Sequence, residues 1–221
     1  MSDFRCWYDE VCELYSDTCA DSCIRYKEML YLIDNSNIPE SRKFPQSLTA
    51  PKCDYDAFCR LADIKDNIEE FVDCGKNLYI ASEHTGNGKT TWAIKLMLKY
   101  FDTIWAGNGF NERGLFIHVP TFLLKCKDFG NKDFEFEHIK ELLPNIDLVI
   151  WDDIASTELS AYDYSQLLMY LDSRISNEKS NIFTGNITNR DVLQKALASK
   201  LTSRIWSNST EIIIFNGGDK R

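Results

Sequence analysis

Residues 77–101 place three kinds of chain in immediate succession: an apolar stretch "NLYIAS", a glycine-bearing turn "EHTGNGKT", and a helix-forming run "TWAIKLMLKYF". In that order, the backbone N–H groups of the turn and the positive end of the helix converge on one point, where a phosphate is favoured. The turn nearly spells Gly-x-x-x-x-Gly-Lys-Ser/Thr, with Glu83 where the first glycine is usual. That first position needs a permissive turn, and its side chain can face solvent, so Glu83 removes no phosphate ligand. The residues expected to bind nucleotide are Thr85, Gly86, Asn87, Gly88, Lys89, Thr90 and Thr91. Gly86 and Gly88 let the backbone wrap closely, Lys89 reaches the β and γ phosphates, and Thr90 offers its hydroxyl to Mg²⁺. A plain polar turn is the competing reading.

The rest of the chain argues against the plain turn. After residue 76, "GLFIHVP", "IDLVIWDD", "NIFTGN" and "EIIIFNG" add four strands, with helical runs after the first two in "TFLLKCKDF" and "YSQLLMYLDSRIS". Strands alternating with helices predict an α/β fold with a parallel, doubly wound five-stranded sheet. The third strand ends in Asp152 and Asp153. Two adjacent carboxylates at the end of a buried strand are costly unless they serve a cation. Asp152 is assigned to holding Mg²⁺ through water and Asp153 to orienting or polarising an attacking water, as in metal-assisted phosphoryl transfer. A helix N-cap would account for one aspartate but hardly for both.

The front of the chain differs. Residues 1–75 carry 16 Asp and Glu against 8 Lys and Arg, most of the net charge of −9. Such a segment is a poor grip on duplex DNA, whose phosphates need basic side chains, and suits a protein partner better. A mainly helical N-terminal stretch gives way to "DNSNIPESRKFPQSLTAP", a linker composition, so residues 1–50 are expected to form a partner-binding module and linker, and 51–221 the domain that carries the glycine loop and the aspartate pair. Cys6, Cys12, Cys19 and Cys23 are separated by five, six and three residues. They either hold a structural zinc through four thiolates or serve as small buried apolar residues along a helix. No apolar run approaches the roughly 18 residues of a membrane span, and the N-terminus lacks the form of a secretory signal, which predicts a cytoplasmic protein without a membrane partner.

The loop, the Asp-Asp strand, "NIFTGN" and "LTSRI", in this order, resemble AAA+ ATPases of the DnaC/DnaI-type replicative helicase loaders, with phage-encoded members and IstB-type transposition ATPases as neighbours. The resemblance covers roughly residues 76–221. It implies an ATP- and Mg-dependent, slow ATPase that binds a hexameric replicative helicase, contacts single-stranded DNA and self-associates through the ATP site. It further implies that Asn186 is the polar sensor of the γ-phosphate and Arg204 the arginine finger that completes a neighbouring subunit's site. Asp153 stands where the family commonly has Glu, which predicts slow hydrolysis. The ending "GGDKR" leaves no room for a helical lid, and Arg221 is a candidate stand-in second sensor. The alternatives are an IstB-like transposition regulator, for which a basic N-terminal arm would be expected, and a small-molecule kinase, which would need a lid and an acceptor site.

Overall fold

The computed structural model describes residues 6, 16, 19, 22–43, 48–128 and 133–218. Helix α1 (Ile24–Asp34) leads through two single 3₁₀ turns, Glu40–Arg42 and Lys52–Asp54, into α2 (Tyr55–Asp66) and α3 (Ile68–Asp73). The α/β region follows as β1 (Asn77–Ala81), α4 (Lys89–Ile104), β2 (Gly114–His118), α5 (Val119–Cys126), α6 (Phe134–Leu142), β3 (Leu148–Ile154), α7 (Ala161–Ser176), β4 (Ser180–Gly185), α8 (Arg190–Ile205) and β5 (Thr210–Ile214). All five strands are parallel, in the order β2-β3-β4-β1-β5. The α/β expectation holds, and each strand read from the sequence is present.

Side-chain alternation along the strands builds two cores. Leu78, Ile80, Phe116, Leu148, Ile150, Ile182 and Ile213 point to one face, where α1 to α4 cover them. Tyr79, Leu115, Ile117, Val149, Trp151 and Phe183 point to the other, under α5 to α8. A sheet buried on both faces explains why its strands read as nearly continuous apolar runs. Each fully buried large side chain contributes roughly 1.5–3 kcal/mol through removal from water. Met29, Leu32 and Ile33 of α1 join the first core, so this helix packs directly on the α/β unit.

Two helices went unread in the sequence. In α6, "FEFEHIKEL" alternates Phe and Glu at first, the period of a strand, yet Phe136 and Ile139 are its buried residues and Phe134 stays exposed. In α8, Ala198 has φ +61° and breaks the helical path, yet Leu193, Leu197, Leu201 and Ile205, four residues apart, are all buried in the second core. Helices α2 and α3 are separated at Asn67. Helix α7 starts where Ser160 and Asp163 form a reciprocal capping box, three residues before the expected start.

Candidate nucleotide site

Ligands of open parallel sheets bind beyond the carboxyl ends of the strands, where the loops after β1, β3 and β4 lie side by side. In the β1–α4 loop, the left-handed positions fall on Gly86 (φ +70°) and Gly88 (φ +99°), and Glu83 is not among the residues with positive φ. This explains why Glu83 is tolerated: no position-specific need for glycine exists there. Its Oε1 accepts a 3.0 Å hydrogen bond from Thr188 Oγ1, tying the loop to the segment after β4. A Cβ on Gly88 would lie 2.8 Å from Leu48 Cδ1, a movable side-chain end, so it is the left-handed dihedral angle that requires glycine.

The loop is fixed internally by Asn87, fully buried, whose Nδ2 donates to Ser82 Oγ and, at 3.4 Å, to Gly217 O. Ser82 Oγ also accepts from His84 N at 3.1 Å. Lys89 Nζ folds back into the loop, donating to His84 O at 2.9 Å and Asn87 Oδ1 at 3.4 Å. Burial pushes this ammonium below its ordinary pKa, opposed by the charges of Asp153 and Asp152. A buried cation resting only on neutral oxygens is poised to take an anionic partner. Thr85 is exposed, and Thr91 is half-buried in the first turn of α4.

Asp152 lies at the end of β3, 2% exposed. Its Oδ1 accepts from Thr90 Oγ1 and from Thr184 Oγ1, both at 2.7 Å. Its Oδ2 faces the Arg42 guanidinium at 3.6 Å. Burial raises the Asp152 pKa, and the two hydroxyl donors oppose the rise. Asp153 has φ +59°, and the β3–β4 register shifts between Trp151 and Ile154. Adjacent strand residues normally face opposite sides of a sheet, and this bulge re-aims the second carboxylate into the same cleft. Thr184 Oγ1 pins the bulge by accepting from Asp153 N at 3.1 Å.

One further residue joins the aspartates. His118 pairs in register with Asp152 across β2 and β3, and its Nε2 lies 3.7 Å from Asp153 Oδ2 while its Nδ1 meets Thr121 Oγ1 at 2.8 Å. Ligand atoms of His118, Asp152 and Asp153 lie within 4.8 Å of one another, the only group of three such residues among those described. Sequence reasoning missed His118, Thr184 and Arg42. A polar residue closing the apolar strand "GLFIHVP" was the available signal for His118.

Asn186 follows β4 directly, and its Oδ1 is buried without a hydrogen-bond partner. An orphaned amide beside this cleft is a natural contact for a polar ligand, in either flip of the amide. Arg204 is held elsewhere: its Nε bonds Asp172 Oδ1 on α7 at 2.5 Å, with both side chains about half-exposed. Of the early cysteines, Cys6 is buried, Cys19 half-buried and Cys23 exposed, and these three do not converge as metal ligands. Cys12 and Arg221 lie outside the described residues.

No protein-family model matches the chain, and no curated protein matches it by sequence. Solved structures do. The DnaC helicase loader is similar over 83% of this chain and 98% of its own, at 17% identity and a TM-score of 0.61. A putative primosome component from Streptococcus pyogenes serotype M3 is similar over 86% of this chain and 98% of its own, at 17% identity and a TM-score of 0.64. The chain shares the fold of these structures. Replication initiator DnaA bound to AMPPCP and single-stranded DNA is also similar, over 86% of this chain and 51% of that one, at 13% identity and a TM-score of 0.53. Among the described residues, no helix is long and apolar enough to cross a membrane.

Proposed function

We propose that the chain is a Mg-dependent ATPase that binds a hexameric replicative helicase and delivers it to single-stranded DNA. The observation that carries the nucleotide reading is the bonded set Thr90–Asp152–Thr184 beside a buried Lys89 at the mouth of the glycine loop. Hard oxygen donors, a hydroxyl and a carboxylate, fit magnesium, and the orphaned Asn186 amide supplies a further polar contact. Thr90 directly and Asp152 through water would hold the ion, whose charge helps neutralise the phosphates.

The other residues divide the remaining work. The backbone from Thr85 to Thr91 wraps the phosphates, and Lys89 leaves the loop carbonyl for the β and γ oxygens. Asp153, half-exposed and aimed into the cleft by the bulge, accepts a hydrogen bond from the attacking water. Asn186 holds the γ-phosphate or that water. Arg204 exchanges Asp172 for the active site of a neighbouring copy, which makes self-association part of catalysis.

The loader reading rests on similarity spanning nearly the whole DnaC chain, and the DnaA complex with AMPPCP, a methylene analogue of ATP, supports nucleotide and single-stranded DNA as ligands. The acidic residues 1–50, with or without zinc on Cys6, Cys12, Cys19 and Cys23, would meet the helicase, and residues 51–221 the nucleotide and DNA. An IstB-like transposition role is the alternative, and the acidic front of the chain weighs against it.

The test is a pull-down against a replicative helicase with and without ATP, beside binding of a fluorescent ATP analogue. Lys89→Ala should fold normally, lose at least about 100-fold in nucleotide affinity, roughly 2.7 kcal/mol, and lose ATP-dependent capture. Unchanged affinity in the folded variant would remove the nucleotide reading, and no helicase capture under any nucleotide condition would remove the loader reading.

A further inference from the structure

Between α1 and α2, residues 36–43 and 48–54 lie along the carboxyl end of the sheet. The first stretch begins at the outer edge strand, where Ser36 O accepts from Phe116 N at 2.7 Å and Asn37 Nδ2 donates to Phe116 O at 2.8 Å. Asn37, in the left-handed region at φ +58°, turns the chain inward. Lys43 closes the next turn by bridging Asp34 Oδ1 at 2.6 Å and Glu40 Oε2 at 2.7 Å. Further along, Leu48 packs over Gly88, and the buried carboxylate of Asp54 accepts from the backbone N–H groups of Asn216 and Gly217 beyond β5. Between these anchors, Arg42 reaches Asp152 Oδ2 at 3.6 Å.

That contact has a physical rationale. The Asp152 side chain is 3% exposed, and a buried carboxylate requires a compensating charge. Oδ1 is already served by two hydroxyls, which leaves Oδ2 for a cation. Arg42, by contrast, is 49% exposed and needs no partner for its own solvation. The linker thus spends an exposed arginine on a site where a divalent ion belongs under the function proposed above. A second cation brought to the same buried carboxylate repels the first strongly. We propose that Arg42 is an internal counter-ion of Asp152 that magnesium–nucleotide displaces, so that occupancy of the site loosens the linker at residues 36–43 and is felt by the N-terminal segment. This inference rests on Asp152 serving magnesium.

The full chain provides the test. Mg²⁺ is titrated at a fixed concentration of a fluorescent ATP analogue for wild type, Arg42→Ala and Arg42→Lys, while amide hydrogen exchange is followed at Arg42 and Phe116. The Arg42 amide bonds Pro39 O at 2.7 Å, and the Phe116 amide bonds Ser36 O, so both report on the linker. Removing the competing cation should lower the Mg²⁺ midpoint about three- to tenfold in Arg42→Ala, with Arg42→Lys close to wild type. In wild type, both amides should exchange faster with magnesium–nucleotide than with nucleotide and EDTA, and in Arg42→Ala they should already be fast. An unchanged midpoint, a raised one, or linker exchange indifferent to magnesium–nucleotide overturns the counter-ion role. If wild type shows no magnesium-dependent nucleotide binding at all, the nucleotide reading itself falls, which is a separate result.

Discussion

Two charges are buried at opposite ends of the same pair of strands, and they are treated differently. Arg174, 0% exposed, lies near the amino ends of β3 and β4, where its guanidinium donates to Leu143 O, Ile146 O, Asp147 O, Ser180 O and Asn181 Oδ1 at 2.5–3.4 Å. Burial lowers its pKa to about 9, with Asp147 opposing, and it stays charged at neutral pH. Asp152, at the carboxyl end, has two fixed hydroxyl donors and, among the described residues, a half-exposed arginine as its ion-pair partner. The arginine cage is complete and made mostly of backbone, so nothing can replace its members. The aspartate has a partner that can leave. Irreplaceable partners mark a structural charge, and a replaceable one marks a site.

The largest effect expected is at a third charge, Arg204, whose pairing with Asp172 is half-exposed and therefore also exchangeable. If it completes a neighbour's site, Arg204→Ala should bind nucleotide within a few-fold of wild type but lose hydrolysis by about 10³-fold, the lower range for such arginines. Mixing it with Lys89→Ala should restore part of the activity, because some mixed sites hold an intact loop and an intact arginine. Full hydrolysis by Arg204→Ala at every protein concentration would place this arginine with the structural charges.

At the other pole, Arg174→Ala leaves several buried carbonyls without donors. It should lower stability by about 3–5 kcal/mol, the usual cost of stripping one side of a buried charged network. Chemical denaturation measures this directly. A loss under about 1 kcal/mol would mean that water substitutes for the guanidinium and that the cage is not fixed.

The contrast also explains what could be read in advance. Strands were legible because burial on both faces forces continuous apolar runs, and the loop because phosphate contact demands Gly86, Gly88, Lys89 and Thr90 at fixed spacing. Asp152 and Asp153 stood out as two charges ending such a run. The bulge that turns them to one side was not legible, since nothing local in "IWDDI" distinguishes it from a regular strand. Nor was the Arg174 cage, whose partners span residues 143–181. Arg42 lies 110 positions before Asp152, and only the path of the linker joins them.

Within the cleft, the two aspartates should separate. Asp153→Asn removes the acceptor for water while leaving the Thr90–Asp152–Thr184 set intact, so nucleotide should stay bound and turnover fall about 10²-fold. Asp152→Asn keeps an oxygen for the two hydroxyls but turns an amide toward Arg42. Mg²⁺-dependent binding should then weaken about tenfold, as for other groups that support a metal indirectly. Equilibrium binding and single-turnover hydrolysis decide the matter, and identical behaviour of the two variants would dissolve the division.

The smallest effect is expected at Glu83, the residue that made the loop look irregular. Because the left-handed positions belong to Gly86 and Gly88, a glycine at 83 gains no needed conformation. It loses the hydrogen bond from Thr188, exposed and therefore worth about 0.5–1 kcal/mol. A glycine also adds unfolded-state entropy of similar size. Glu83→Gly should thus destabilise the protein by about 1 kcal/mol while shifting nucleotide affinity less than about threefold, or 0.7 kcal/mol. Thr188→Ala should reproduce the hydrogen-bond part of the stability loss without the glycine entropy. If Glu83→Gly instead tightened nucleotide binding tenfold, the glutamate would be a brake on the phosphate loop, and its bond to Thr188 would belong with the exchangeable contacts rather than with the scaffold.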